Sequence, residues 1–79
     1  MFYVYVLQSL KNEELYIGIT EDLRRRLREH NQGLNLSTKS HRSWKIIYYE
    51  ACGNEQDTKQ REGYLKTTQG RTMLNKRLL

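Results

Sequence analysis

The order of apolar and polar positions predicts three strands. Met1–Ser9 is apolar almost throughout and rich in β-branched and aromatic residues, which is typical of a strand covered on both faces. Leu15–Thr20 alternates, with its aliphatic residues on one side, and predicts a second strand. The polar stretch between them predicts a hairpin turn at Asn12. Trp44–Glu50 is the third predicted strand.

Helix-end signals predict three helices in the remaining segments. Thr20 is the expected N-cap of the first helix, with acidic residues 21 and 22 at its start, and Gly33 should stop it just after Asn31. Residues 31–43 lack periodicity and indicate a loop. Asn54 should cap a second helix over residues 55–68, weakened by its internal Gly63.

Gly70 is expected to break the chain before a short last helix over residues 71–79. The resulting order is β-β-α-β-α-α, a small α/β (α+β) domain with an antiparallel hairpin in its sheet. With 79 residues there is room for one domain, residues 1–79. Cys52 is the only cysteine, so no intrachain disulfide can form, and it is interpreted as a small hydrophobe. A secretory signal and a membrane-length apolar run are both missing from the sequence, so the expected localisation is cytoplasmic.

The net charge of +5 is unevenly distributed. Residues 37–45 and 71–79 hold cations without any acid, a pattern suited to nucleic acid phosphate, although a solvated basic surface is an equal alternative. The candidate phosphate-contacting residues are Lys39, Arg42, Lys45, Arg71, Lys76 and Arg77.

One arginine of the first helix lies among its leucines. On a helical wheel Arg26 and His30 fall within about 60° of Leu23, on the stripe shared with Leu27. A buried guanidinium without an acceptor is costly, so the site must supply an anion, internal or external. The alternative is an arginine that extends past the core edge to water.

Gly18 follows Tyr16 by two residues in the second strand, so the two lie on the same face. Because glycine has no side chain, the space beside the Tyr16 ring is left free. Glycine inside a strand often marks the close approach of a ligand or another backbone. Tyr5 can reach the same face if the hairpin register allows. Both tyrosines can instead be core filler with the hydroxyl at the rim. Trp44 and Tyr64 are interpreted as packing residues, with stacking of a base on an exposed ring near the loop as the alternative.

The second helix places Glu62 on the same side as Leu65, although solvated glutamates are commoner than functional ones. If both helices pack on one side of the sheet, Glu62 converges with Arg26, His30 and the two tyrosines. That set suits metal-assisted hydrolysis of a phosphodiester. One carboxylate can hold a Mg²⁺ that keeps several waters, an arginine can neutralise phosphate, and a tyrosine beside them can act as general base.

At these residues the chain resembles the GIY-YIG nuclease superfamily over nearly its whole length. The second signature is Tyr16-Ile17-Gly18, followed by the helix pattern with Arg26 ten residues after the tyrosine. The first signature is altered to Tyr3-Val4-Tyr5. The segments "WKIIYYE" and "QREGYLK" follow, and Glu62 in the second matches the family's metal-binding glutamate. The longer segments "TKSHRSWKIIYYE" and "YLKTTQGRTMLNKRL" are similar to small single-domain members related to the nuclease module of the bacterial excision-repair endonuclease.

The resemblance implies a three-stranded antiparallel sheet flanked by helices and a Mg²⁺-dependent (or Mn²⁺-dependent) endonuclease acting on DNA, in repair or processing. It implies that Tyr16 is the general base, Tyr5 its partner, Arg26 the phosphate ligand and Glu62 the metal ligand. His30 matches many members. RNA is not excluded as a substrate. Because members often carry separate DNA-binding domains, target choice here is weak, structural or delegated to a protein partner.

Two departures bear on activity: Tyr3 replaces the first glycine and narrows the expected site, and Ile19 stands where some members carry a lysine. The alternative function is therefore a nucleic-acid-binding module of the same fold that has lost efficient catalysis. A protein-interaction domain is the third hypothesis, and it predicts little salt-sensitive DNA affinity.

Overall fold

A computed structural model describes residues 1–78 of the chain. Three strands and three α-helices lie in this part, together with one 3₁₀ turn at Lys39–His41. They are β1 (Phe2–Ser9), β2 (Leu15–Thr20), α1 (Leu23–Asn31), β3 (Trp44–Cys52), α2 (Glu55–Leu65) and α3 (Thr68–Leu78). The predicted order β-β-α-β-α-α is confirmed.

The sheet is antiparallel with strand order β2-β1-β3, so the most apolar strand is central. Four consecutive residues of β1, Val4 to Leu7, are buried because both faces of the strand are covered. Across the hairpin Tyr5 pairs with Gly18 and Leu7 with Tyr16. This register places both tyrosines on one face, as the site hypothesis requires.

The helices pack on opposite faces of the sheet. Leu23 and Leu27 of α1 pack with Tyr5, Leu7 and Trp44. On the other face Val4, Val6 and Ile17 form a core with Leu65 of α2 and Leu74 of α3. The arrangement with both helices on one side, on which the predicted convergence depended, is therefore wrong: a central strand that is apolar on both faces needs cover on both.

The first helix begins two residues later than predicted. Asp22, not Thr20, is its N-cap, and the Asp22 carboxylate accepts the backbone N–H of Arg25 at 3.0 Å. The Thr20 hydroxyl instead accepts the N–H of Asp22 and shapes the preceding turn. Gly33 ends the helix as predicted, with a φ of 78°. The N–H groups of Gly33 and Leu34 bond to the carbonyls of His30 and Glu29, which is a Schellman cap.

The second and third helices divide differently from the prediction. Asn54 caps α2 as expected, but α2 ends at Leu65 and α3 already begins at Thr68. The Thr67 hydroxyl accepts the N–H of Gly70 at 3.1 Å, the bond that an N-cap makes to the third helical residue. Gly70 is thus inside α3 and does not break the chain. Leu79, the last residue of the predicted helix, lies outside the described residues.

The turn between β1 and β2 contains Asn12 as predicted, but the residue with a positive φ is Glu13. The Asn12 side chain accepts the N–H of Glu14 at 3.1 Å, while Glu13 adopts the left-handed conformation with a φ of 64°. Residues 32–43 form a loop, as predicted.

Strand β3 continues two residues beyond Glu50, to Cys52, which is partly buried against the core. No helix within residues 1–78 is long and apolar enough to cross a membrane.

An ion pair joins α2 to β3. Arg61 Nε donates to Glu50 Oε1 at 2.7 Å and Arg61 Nη2 to Glu50 Oε2 at 3.0 Å, and the Tyr48 hydroxyl donates to the same carboxylate. The Arg61 guanidinium also lies 4.8 Å from the centre of the Tyr64 ring. Since Glu62 follows Arg61, this pair orients the helix that carries the predicted metal ligand. The hydrogen bonds from Arg61 lower the pKa of Glu50, against the opposing effect of burial.

We expect Glu50→Gln to lower the free energy of unfolding at pH 7 by about 1–2 kcal/mol, because the charged bonds to Arg61 are lost. The folded-state pKa of Glu50 lies below its unfolded value of about 4.3, so this stabilisation is present above that pH and is lost as the pH falls through the folded pKa. The difference between variant and wild type should therefore shrink under acid. Urea unfolding followed by circular dichroism at several pH values measures it.

Glu55→Gln is the matched control on α2, since Glu55 and Lys59 form an exposed pair at 3.6 Å. Such pairs contribute about 0–1 kcal/mol. Equal effects of the two substitutions, or a Glu50→Gln difference that does not change with pH, would contradict the role given to Glu50.

Candidate active site

The space above Gly18 is filled by the Tyr5 ring. A Cβ at Gly18 would lie 2.6 Å from the Tyr5 hydroxyl oxygen and 3.1 Å from Cε2 of Tyr16. The close approach predicted for this glycine is therefore made by a side chain of the neighbouring strand. Tyr5 is 1% exposed, whereas Tyr16 is half-buried, and their ring centres are 6.4 Å apart. The pair forms one wall of the site.

Arg26 reaches this wall from α1. Its Nε donates to the Tyr5 hydroxyl at 3.2 Å, and its Nη1 donates to Glu29 Oε1 at 3.0 Å. Its side chain remains 33% exposed. The arginine thus has internal acceptors, an uncharged oxygen and a carboxylate, and these bonds use two of its five N–H groups. Both explanations for the inward position of Arg26 therefore apply. The guanidinium has internal acceptors that orient it, and it also remains in contact with solvent.

His30 lies fully buried between Tyr5 and the loop. Its Nε2 is 2.9 Å from the Tyr5 hydroxyl and its Nδ1 is 2.7 Å from the Thr38 hydroxyl. Thr38 donates its own proton to the Asn35 carbonyl, so it accepts from His30 Nδ1–H. Nε2 of the neutral ring then accepts the proton of Tyr5. This assignment gives a directed chain from Tyr5 through His30 to Thr38.

Burial and the positive charge of Arg26 act in the same direction on the pKa of His30, against the opposing charge of Glu29. Desolvation, helped by the positive charge of Arg26, lowers the pKa of His30, so the ring is neutral at pH 7. Burial likewise raises the pKa of Tyr5, although Arg26 opposes the shift. Tyr5 is consequently held as an uncharged phenol that donates to His30 and accepts from Arg26.

Glu62 belongs to α2, which packs on the face of the sheet opposite to α1. Its charge is among the influences that raise the pKa of Tyr5. The Glu62 side chain is 25% exposed, and Lys66 Nζ is 3.5 Å from its Oε2. Residues 1–78 contain no group of three or more His, Cys, Asp or Glu side chains arranged to hold a metal. The donor set fits an ion that keeps most of its waters, which is the habit of Mg²⁺.

The six predicted phosphate-contacting cations do not form one surface. Lys39 and Arg42 lie on the loop that bonds to His30, next to the site. Lys45 lines a shallow cavity with Gln8, Asn75 and Leu78, on the side of α3. The remaining three, Arg71, Lys76 and Arg77, are exposed on α3. Only the loop cations are placed beside the Arg26 cluster.

Sequence reasoning missed two residues of the network. Glu29 is bonded to Arg26, and its spacing of three residues on a helix was a usable signal. Thr38 is buried against His30 from a loop without periodicity, so the sequence held no signal for it. Trp44 is a packing residue as predicted: it is 4% exposed, and its Nε1 donates to the Thr38 carbonyl at 3.0 Å. Tyr3 packs edge-on against Tyr49, with ring centres 6.0 Å apart.

Comparison with known proteins places the chain in the family that its signature residues had indicated. The sequence profile of the GIY-YIG catalytic domain matches residues 1–77. A UPF0213 protein of Clostridium perfringens is 37% identical over 67 residues, covering 84% of this chain and 71% of the relative. A UPF0213 protein of Desulfotalea psychrophila is 33% identical over 67 residues, covering 82% of this chain and 60% of that protein.

A solved structure has the same fold. The solution NMR structure of the UPF0213 protein BH0048 from Bacillus halodurans superposes with a TM-score of 0.57 at 24% identity, covering 96% of this chain and 84% of that one. The chain belongs to the GIY-YIG catalytic-domain family, within which its relatives are the UPF0213 proteins. The predicted resemblance is confirmed. The domain is of a nuclease class whose substrates are nucleic acids and whose members generally use divalent metal ions.

Proposed function

We propose that this protein is a metal-dependent endonuclease that hydrolyses phosphodiester bonds in DNA, in repair or processing. The observation that carries the proposal is the Arg26–Tyr5 hydrogen bond of 3.2 Å, which fixes a part-exposed guanidinium beside two tyrosines and a buried histidine. A fixed guanidinium at a solvent-accessible site is a ready ligand for a phosphate.

Arg26 would bind the scissile phosphate and stabilise the charge that builds on it. Nε and Nη1 are held by Tyr5 and Glu29, so the direction of the guanidinium plane is set before substrate arrives. Donors that are already oriented toward developing charge need no reorganisation during the reaction. The carboxylate of Glu29 supports this position but also neutralises part of the charge, so phosphate binding is expected to rely on further cations.

Tyr16 would accept the proton of the attacking water, and Tyr5 would position the site. Tyr5 is buried with a raised pKa and is bonded on both sides, which makes it a poor base. Tyr16 is half-buried, and its ring centre is 5.0 Å from that of neutral His30. Of the two tyrosines, Tyr16 is therefore the one whose hydroxyl we assign as the proton acceptor.

Glu62 would hold the divalent ion, Mg²⁺ or Mn²⁺. When bound, such an ion supplies positive charge to a phosphate oxygen and the leaving group. The part-exposed Glu62 carboxylate is accessible to an ion, and Lys66 is its present partner at 3.5 Å. Ion binding therefore competes with a weak helix-surface pair.

The test is cleavage of supercoiled, linear, single-stranded and branched DNA, and of RNA, with Mg²⁺, Mn²⁺ or EDTA. Wild type is compared with Arg26→Ala and Glu62→Ala. We expect cutting that requires metal and is lost in both variants, because one loses the phosphate ligand and the other the ion ligand. Arg24→Ala, exposed on the same helix as Arg26, and Glu55→Ala, exposed on the same helix as Glu62, are the matched controls.

The controls should cut as wild type does, and circular dichroism should show all variants folded. If wild type cuts none of these substrates, or if Arg26→Ala and Glu62→Ala cut normally, the proposed enzyme is wrong. Salt-sensitive DNA binding without cutting would favour the binding module instead. If the protein cuts all substrates alike but prefers one of them when cell extract is added, a protein partner supplies the specificity.

A further inference from the structure

Two leucines project into solvent from the loop that borders the site. Leu34 is 68% exposed and Leu36 is 90% exposed. Both belong to residues 32–43, here called the leucine loop, whose residue Thr38 bonds to His30. Exposed apolar side chains at single surface positions are ordinary, so these two gain significance only from the fixed loop and the basic charge around them.

The leucine loop is held in place by hydrogen bonds at both ends and in the middle. The Schellman cap fixes Leu34, since its N–H bonds to the Glu29 carbonyl at 3.0 Å. Asn35 Oδ1 accepts the N–H of Ser37, and its carbonyl accepts from Thr38. The Asn31 side chain bonds to both backbone groups of Trp44 where the loop closes. The leucines are therefore presented by a fixed frame, since the backbone on both sides of them is hydrogen-bonded.

The charge around these leucines indicates what covers them. From Gln32 to Lys45 the chain carries no acid, while Lys39 and Arg42 are exposed on the same loop. A second copy of the chain would bring two basic loops together, and the like charges would repel. A polyanion with an apolar interior satisfies both features, and double-stranded DNA has phosphates outside and stacked bases within.

We infer that Leu34 and Leu36 form a wedge that inserts between base pairs of duplex DNA while Lys39 and Arg42 hold the flanking phosphates. Apolar wedges of this type partly unstack a base step and kink the duplex. A duplex held by this wedge would lie beside the candidate site, because Thr38 of the loop is hydrogen-bonded to His30 and His30 to Tyr5. This inference rests on the proposed function for its substrate and names the class preferred: duplex DNA that is easily unstacked.

The test measures binding to short duplexes that carry 2-aminopurine, whose fluorescence rises when its base is unstacked, in EDTA so that no cleavage occurs. The double variant Leu34→Ser/Leu36→Ser is compared with wild type. Leu10→Ser is the control, since Leu10 is 63% exposed in the β1–β2 turn. We expect wild type and Leu10→Ser to raise the fluorescence and the double variant to lose the rise, with affinity about tenfold weaker. The salt dependence of binding should be unchanged because no cation is removed.

Cleavage with Mg²⁺ is then measured on the duplex and on the same sequence with an unpaired bubble. The bubble should restore cutting by the double variant, since the bases are already unstacked. Equal fluorescence rises for wild type and double variant would overturn the wedge while leaving the nuclease intact. A rise without any cleavage would overturn the nuclease while leaving the wedge intact. A wild-type dimer that the double variant loses in sedimentation would show that the leucines join two copies, and would overturn the wedge.

Discussion

Gly18→Ala should lower the free energy of unfolding by about 1–3 kcal/mol, the range for a side chain forced into a filled space. The new Cβ would lie 2.6 Å from the Tyr5 hydroxyl oxygen and 2.8 Å from its Cζ. Tyr5 cannot yield cheaply, because its ring is buried and its hydroxyl is bonded to Arg26 and His30. We therefore also expect the substitution to break the Arg26–Tyr5 bond and abolish the proposed cleavage.

Gly53→Ala is the matched control for Gly18→Ala, since a Cβ there meets no atom within 4 Å. Urea unfolding measures both variants, and the DNA cleavage assay follows the site. Combining Gly18→Ala with Tyr5→Phe removes the 2.6 Å contact, so the double variant should be more stable than the sum of the single effects implies. Additive effects would mean that the Tyr5 hydroxyl does not occupy the space above Gly18 in solution.

Gly70→Ala is expected to lower the free energy of unfolding by about 2 kcal/mol, even though alanine is the better helix former by about 1 kcal/mol. A Cβ at Gly70 would lie well inside contact distance of the Tyr64 carbonyl oxygen and 2.7 Å from Cα of Leu65. Both obstacles are backbone atoms, so relief requires α3 to move away from α2. That movement would loosen Leu74, which is buried in the shared core.

Gly63→Ala provides the opposite expectation on α2. Apart from the neighbouring backbone of α2 itself, no atom lies within 4 Å of a Cβ there, so alanine should stabilise the helix by up to about 1 kcal/mol. The two variants make the same change in neighbouring helices. In thermal and urea unfolding, the midpoint should therefore fall for Gly70→Ala and rise for Gly63→Ala. If Gly70→Ala stabilised the protein as Gly63→Ala does, the close approach of α3 to the end of α2 would be refuted.

The arginine at the centre of the site shows how far helical spacing carries an argument. Spacing alone placed Arg26 on the inward stripe, and the structure confirms that it turns toward the sheet. Spacing could not show which acceptor it meets. Tyr5 is distant in sequence and becomes its partner only through the sheet register, whereas Glu29 was within reach of the same helical wheel.

The glycines show a second limit. Gly33 was correctly predicted as a helix stop, because a Schellman cap is a local structure that depends on the positive φ available to glycine. Gly70 carried the same local signal and lies inside a helix. The difference is tertiary: the missing side chain at Gly70 is used for close packing of α3 on α2, which no local pattern records.

By itself the sequence determined the order of strands and helices, the double-sided cover of β1, the helix ends at Gly33 and Asn54, and the family. These follow from periodicity, capping chemistry and short motifs, which act within a few residues. The tertiary structure decided that α1 and α2 lie on opposite faces, that Tyr5 fills the space above Gly18, and that His30 is bonded to Thr38. These depend on contacts between residues far apart in sequence, whose geometry is set only when the sheet register and the packing of both faces are satisfied together.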